Sequence, residues 1–85
     1  MTEHRVGCVE HHDPRAHAAA IHLAALLKTG DEIHIRDRDD GLIRTVDSLQ
    51  LDRQPVMKGK AGQSVGVLVG RPVHDRAEVF VLARQ

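Results

Sequence analysis

Turn-forming residues interrupt this 85-residue chain at short intervals, and the apolar stretches between them suit short strands. From Asp31 to Arg36, Ile33 and Ile35 alternate with Glu32, His34 and Arg36, the period of a strand with one buried face. Asp37-Arg38-Asp39-Asp40-Gly41 follows as a polar turn, Asp-Gly being strong hairpin chemistry. Leu42 to Leu51 reads as the next strand; Val46, Leu49 and Leu51 break strict alternation and place a bulge near Asp47-Ser48. Gln54-Pro55 ends that strand, and Val56 to Gln63 has the two glycines of a loop. Ser64 to Val69 sets Val65, Val67 and Val69 on one face, before Gly70-Arg71-Pro72 turns the chain. Glu78 to Leu82 is apolar on both faces, which predicts a buried strand with Phe80 in the core.

Arg5 to Glu10 reads as a short first strand, and His11-His12-Asp13-Pro14 is expected to end it, because proline has no N–H for a ladder. Arg15 to Thr29 supports two readings. Asp13 as N-cap, Pro14 as first helical residue and Gly30 as stop would frame a helix over 14–28, with Ala16, Ala19, Ala20, Leu23, Leu26 and Leu27 at helical spacing. A strand is the other reading, since propensity yields to pairing and burial.

At this length the chain is expected to be one domain, residues 1–85, burying roughly two-thirds of its unfolded surface. Phe80 is its sole aromatic residue, so Val, Leu, Ile and Ala must fill the core. Twelve basic and twelve acidic side chains leave no net charge, which argues against binding nucleic acid by bulk neutralisation. Cys8 has no partner for an internal disulfide and is flanked by Gly7 and Val9, which predicts a small buried side chain in a reducing compartment. No apolar run nears the ~20 residues of a membrane span, and the first residues lack a signal peptide's apolar stretch. A soluble cytoplasmic protein without membrane contact is expected.

Few residues suggest chemistry. Lys28-Thr29 ends like a phosphate-binding loop, but Ala24 to Leu27 hold no glycine, so nucleotide hydrolysis is not expected. Ser48, Ser64 and Cys8 are the candidate nucleophiles, and none has a matched base nearby in sequence; His74-Asp75 are adjacent and poorly placed to cooperate. His4, His11, His12, His17, His22, His34 and His74 are dense for this length, which raises a metal or small-ligand module as an alternative. Adjacent His11 and His12 would point oppositely in a strand, as would His17 and His22, so the spacing is poor for a metal centre. Arg36, Arg38, Lys58, Lys60 and Arg71 could form a basic edge that Asp37, Asp39 and Asp40 partly offset.

Three stretches resemble one family. Leu27-Lys28-Thr29-Gly30-Asp31-Glu32-Ile33-His34-Ile35 looks like the LKxGDxIxI stretch of the second domain of translation elongation factors. Val46 to Leu51 resembles the strand that follows, and Ala61-Gly62-Gln63-Ser64-Val65-Gly66-Val67-Leu68-Val69 looks like AGxxVGxxV. With Val6-Gly7-Cys8-Val9, the likeness runs from about Arg5 to Leu82, and it is nearest to small stand-alone elongation factor-like proteins. A barrel of this kind is also appended to some collagenase-like peptidases. The resemblance implies an all-β fold, a small closed antiparallel barrel of about six strands, with a second strand near His17 to Leu23 in place of the helix. The glycines of these stretches have a physical reason: Gly62 and Gly66 permit a tight turn and a close backbone approach beside the valine-lined strand. The resemblance implies a non-enzymatic adaptor for RNA, the ribosome or a partner protein, without cofactor; self-association through a sheet edge or the Ala-rich segment is compatible with it. No catalytic, cofactor, binding or metal residue carries over from it.

Overall fold

The computed structural model describes residues 2–13, 15, 17–37 and 40–83. The described residues are all-β, in ten strands: β1 (Thr2–Asp13), β2 (Ala18–Leu23), β3 (Leu27–Lys28), β4 (Glu32–Asp37), β5 (Asp40–Thr45), β6 (Leu49–Leu51), β7 (Gln54–Val56), β8 (Lys58–Gly59), β9 (Ser64–Leu68) and β10 (Glu78–Ala83). Eight form one antiparallel sheet in the order β5-β4-β10-β1-β2-β9-β6-β7, and β3 pairs with β8 separately. Every pairing is antiparallel, as short connections require.

The sheet's concave face carries the core. Ile21, Leu23, Ile33, Ile35, Leu49, Val65, Val67 and Val79 are fully buried there, at the alternate positions a period of two dictates. Ile35 pairs with Val79, and Ile21 with Val65, so these aliphatic side chains have aliphatic cross-strand neighbours. The Ala-rich segment is the strand β2, and no helix forms among the described residues of 14–28. Small side chains suit β2 because it lies between β1 and β9, where its Ala19 is wholly buried.

β1 is longer than its sequence suggests. His11, His12 and Asp13 continue it by pairing with Ala20, Ala19 and Ala18; Pro14 lies outside the described residues. The expected break is absent because β1 shifts register twice, between Arg5 and Gly7 against β10 and between Val9 and His11 against β2. These bulges bend the strand so that it can pair on both sides along a curved sheet. The close backbone approach lies here, at Gly7, where a Cβ would fall 2.2 Å from the His22 carbonyl oxygen. Gly66, expected to play that part, has only ordinary contacts around its Cβ position, whereas Gly62 makes the expected turn with a φ of 89°.

The strand count and the closed barrel are both corrected. The predicted strand Leu42–Leu51 is two elements, β5 and β6, because Val46 to Ser48 carry the chain from β4 to the edge of β9. Gln54-Pro55 does not end a strand: it belongs to β7, turned back through Asp52 and Arg53, both at positive φ. Pro55 is tolerated because β7 is an edge. The loop predicted over Val56–Gln63 contains β8. By taking the edge of β9, β6 occupies the place that closure would give to β5. The sheet therefore curls without closing, and no backbone pairing joins β5 to β9 among the described residues. Phe80 is also out of place: it lies on the convex face, half-buried, 4.6 Å beneath the Arg36 guanidinium.

Candidate functional site: the cleft between β5 and β9

Where the sheet fails to close, a side chain spans the gap. Arg44 shares the core-facing side of β5 with Leu42 and Val46, but it reaches sideways and its Nε donates to the Val69 carbonyl at 3.1 Å. Gly70 is needed beside it: its φ is 79°, and a Cβ would meet Arg44 Nη2 at 2.3 Å. Neither Nη of Arg44 bonds a described residue, and Arg44 has no acidic partner among them. An open cavity of about 490 Å³ surrounds it, and a smaller one of about 150 Å³ adjoins along Leu68, against Ser48, Gln50 and Gly66.

The cleft is lined mostly by polar groups, two exposed aliphatic side chains flank it, and no strand pairs with the outer edge of β5 among the described residues. Ile43 on β5 and Leu68 on β9 are 57% and 58% exposed, both on the convex side. Asp37 and Asp40 close the β4–β5 hairpin, so hydrogen bonding alternates from there and turns the backbone groups of Gly41, Ile43 and Thr45 away from β4. Two contacts agree with this parity: Gly41 O accepts from Arg71 Nη2 at 3.3 Å, and Val46 N–H donates to Asp31 O on the opposite side.

Other polar groups form local networks away from the cleft. Glu3 accepts from Arg36 Nη2 at 3.1 Å and lies 2.6 Å from His34 Nδ1. The His34 contact, helped by Arg36, holds the Glu3 carboxyl below its ordinary pKa against the opposing effect of burial. Arg5 pairs with Glu78, and Asp37 holds His74.

The residues singled out in the sequence are mostly dispersed. Cys8 is not buried in the core: it faces outward between its cross-strand neighbours Glu78 and His22. Ser64, beside His22, donates to Glu10, and exposed Ser48 lies at the smaller cavity. His74 works with Asp37 rather than Asp75, and no nucleophile completes that pair among the described residues. The histidines do not converge, and no group of three or more His, Cys, Asp or Glu side chains among the described residues is arranged to hold a metal. His11 points outward and His12 inward, as adjacent strand residues must. The basic edge is split: Lys58 sits opposite Lys28 just before β4 begins, whereas Arg36 and Arg71 lie at the β4–β5 hairpin end, and Arg38 and Asp39 fall outside the described residues. Arg44, Ile43 and Leu68 were not singled out, since only the curl of the sheet brings them together. No helix is long and apolar enough to cross a membrane among the described residues.

No protein-family model matches the chain. No curated protein matches it in sequence. Among solved structures it is similar to the C-terminal domain of a Geobacillus thermoleovorans protein described as a U32 peptidase, with TM-score 0.85 and 16% identity over 92% of this chain and 91% of that one. The selenomethionine variant of that domain aligns with TM-score 0.84 and 16% identity, over 89% and 96% of the two chains. At this identity the likeness defines the fold. It also overturns the elongation-factor resemblance, because the structures matched are peptidase C-terminal domains and no translation factor is found among them. The stretches that suggested translation factors are turn glycines and alternating aliphatics, which shape a curled sheet in any protein that needs one.

Proposed function

We propose that this chain is a non-enzymatic docking module that holds a partner polypeptide, and that the cleft between β5 and β9 is its binding surface. The observation that carries this reading is the combination of two exposed aliphatic side chains, Ile43 and Leu68, with a strand edge unpaired and Arg44 Nη donors unbonded among the described residues. A large aliphatic side chain left in water forgoes about 1.5–3 kcal/mol of burial, so two that flank one cleft mark a surface awaiting a partner. In the Geobacillus protein a domain of the same fold accompanies a peptidase, a setting that suits a module for grasping polypeptide. We place the module in the cytoplasm, where its lone thiol stays reduced.

Capture from native lysate by the tagged chain tests this, beside an Ile43→Asp/Leu68→Asp variant checked for folding by circular dichroism. Polypeptides retained after RNase treatment and lost with the variant are expected. Capture that depends on RNA, or that the variant leaves unchanged, contradicts the reading.

A further inference from the structure

We infer that the β5–β9 cleft takes an extended polypeptide segment as an added strand, one carboxylate of which sits on Arg44 between two outward-facing aliphatic residues. This rests on the docking-module reading and names the chemistry of the partner.

The parity of the cleft dictates the pattern. Ile43 and Thr45 present unpaired backbone groups along β5, which an extended segment meets with its own N–H and C=O groups, as when a peptide adds to a sheet edge. Neighbouring strands lie about 4.8 Å apart. At this edge Arg44 reaches to Val69, and no strand pairs with β5 on that side among the described residues. Side chains of an added strand alternate between the two faces. Those on the convex side lie beside Ile43 and Leu68 and are aliphatic. The one between them points inward at Arg44, whose Nη groups form the fork that pairs with a carboxylate. Asp47 stands exposed at the end of the cleft, so a second acid there is repelled and the segment carries its charge at one inward position.

A nucleic acid would find no stacking platform at the cleft, because Phe80, the sole aromatic residue, lies under Arg36. A second copy pairing β5 to β5 about Leu42 would set Asp40 across from Arg44, so a dimer is the competing occupant and sedimentation decides between the two.

The test uses the whole chain, labelled with nitrogen-15, and the capped peptide Thr-Val-Glu-Val-Thr. Two control peptides replace the Glu with Gln or N-methylate both Val residues. Amide shifts concentrated at Ile43, Thr45, Leu68 and Gly70 are expected with the first peptide. Affinity should fall about tenfold with the Gln peptide, as for loss of one charge-assisted bond, and vanish with the N-methylated one. Arg44→Gln should weaken the Glu peptide tenfold and leave the Gln peptide unchanged. Equal binding of the Glu and Gln peptides, shifts elsewhere, no binding, or sedimentation as a dimer that shields Ile43 each overturn the inference. The docking reading survives those outcomes if lysate capture still depends on Ile43 and Leu68, and it fails separately if capture does not.

Discussion

Asp37 holds His74 at two points: Oδ1 lies 2.8 Å from the imidazole Nδ1, and Oδ2 accepts the His74 backbone N–H at 3.2 Å. The carboxylate is largely covered while the imidazole is largely exposed, so Asp37 acts as the fixed post to which the 70–77 connection is tied. Asp37→Ala is expected to cost about 1–2 kcal/mol, because it leaves a backbone donor without its acceptor. Denaturant unfolding checks the magnitude, and amide exchange at His74 to Ala77 should quicken before the rest of the sheet does.

Acid should loosen the contact of β1 with β4. Glu3 has its carboxyl depressed below the ordinary 4.5, chiefly by His34 and then by Arg36. A depressed folded-state value means that the stabilisation is complete above the unfolded value and fades as pH falls through the folded one. The midpoint of thermal unfolding should therefore drop below about pH 4.5, and Glu3→Gln should lower it at neutral pH while flattening that drop. Melting curves from pH 7 to pH 3 decide this; an identical slope in the variant would show that other carboxylates control acid unfolding.

Two glycines should respond oppositely to the same change. Gly7→Ala drives a methyl into the His22 carbonyl and is expected to destabilise by at least about 2 kcal/mol. Gly66→Ala meets nothing nearer than Gln50 Cβ at 3.8 Å and should be neutral or gain up to about 1 kcal/mol from lost chain entropy. Urea midpoints of the two variants, measured side by side, check the contrast.

His12 offers a stabilising change. Its Nε2 is buried and has no hydrogen-bond partner, in a side chain facing the core beside Ala19. His12→Leu should raise stability by about 1 kcal/mol by removing that orphaned nitrogen. Exposed His11, next in the chain, serves as the control, and His11→Leu should stay within about 0.5 kcal/mol of the parent.

Legibility in the sequence followed how local each cause was. Alternation of Ile33 with Ile35 and of Val65 with Val67 marked β4 and β9 correctly, since burial of one face writes a period of two. β2 was legible only through pairing, because its alanines favour a helix in isolation. The β6–β7 hairpin was not legible: its turn is Asp52-Arg53, without glycine, and Pro55 looked like a stop until β7 proved to be an edge. The cleft was hidden for a related reason. Arg44 and Val69 are 25 positions apart, and their contact follows from where β6 pairs, which no local pattern records.

The first and last described strands are neighbours, and Thr2 faces Ala83 across that pairing. Entry and exit of the polypeptide thus share one doorway, a single strand spacing wide. A unit with that property can be spliced into a surface loop of a larger host without prising the host's loop ends apart, and it can be lifted out again with equally little disturbance. The same doorway suits circular permutation: joining the two ends by a short linker and opening the chain at Asp52-Arg53 should leave the sheet order intact.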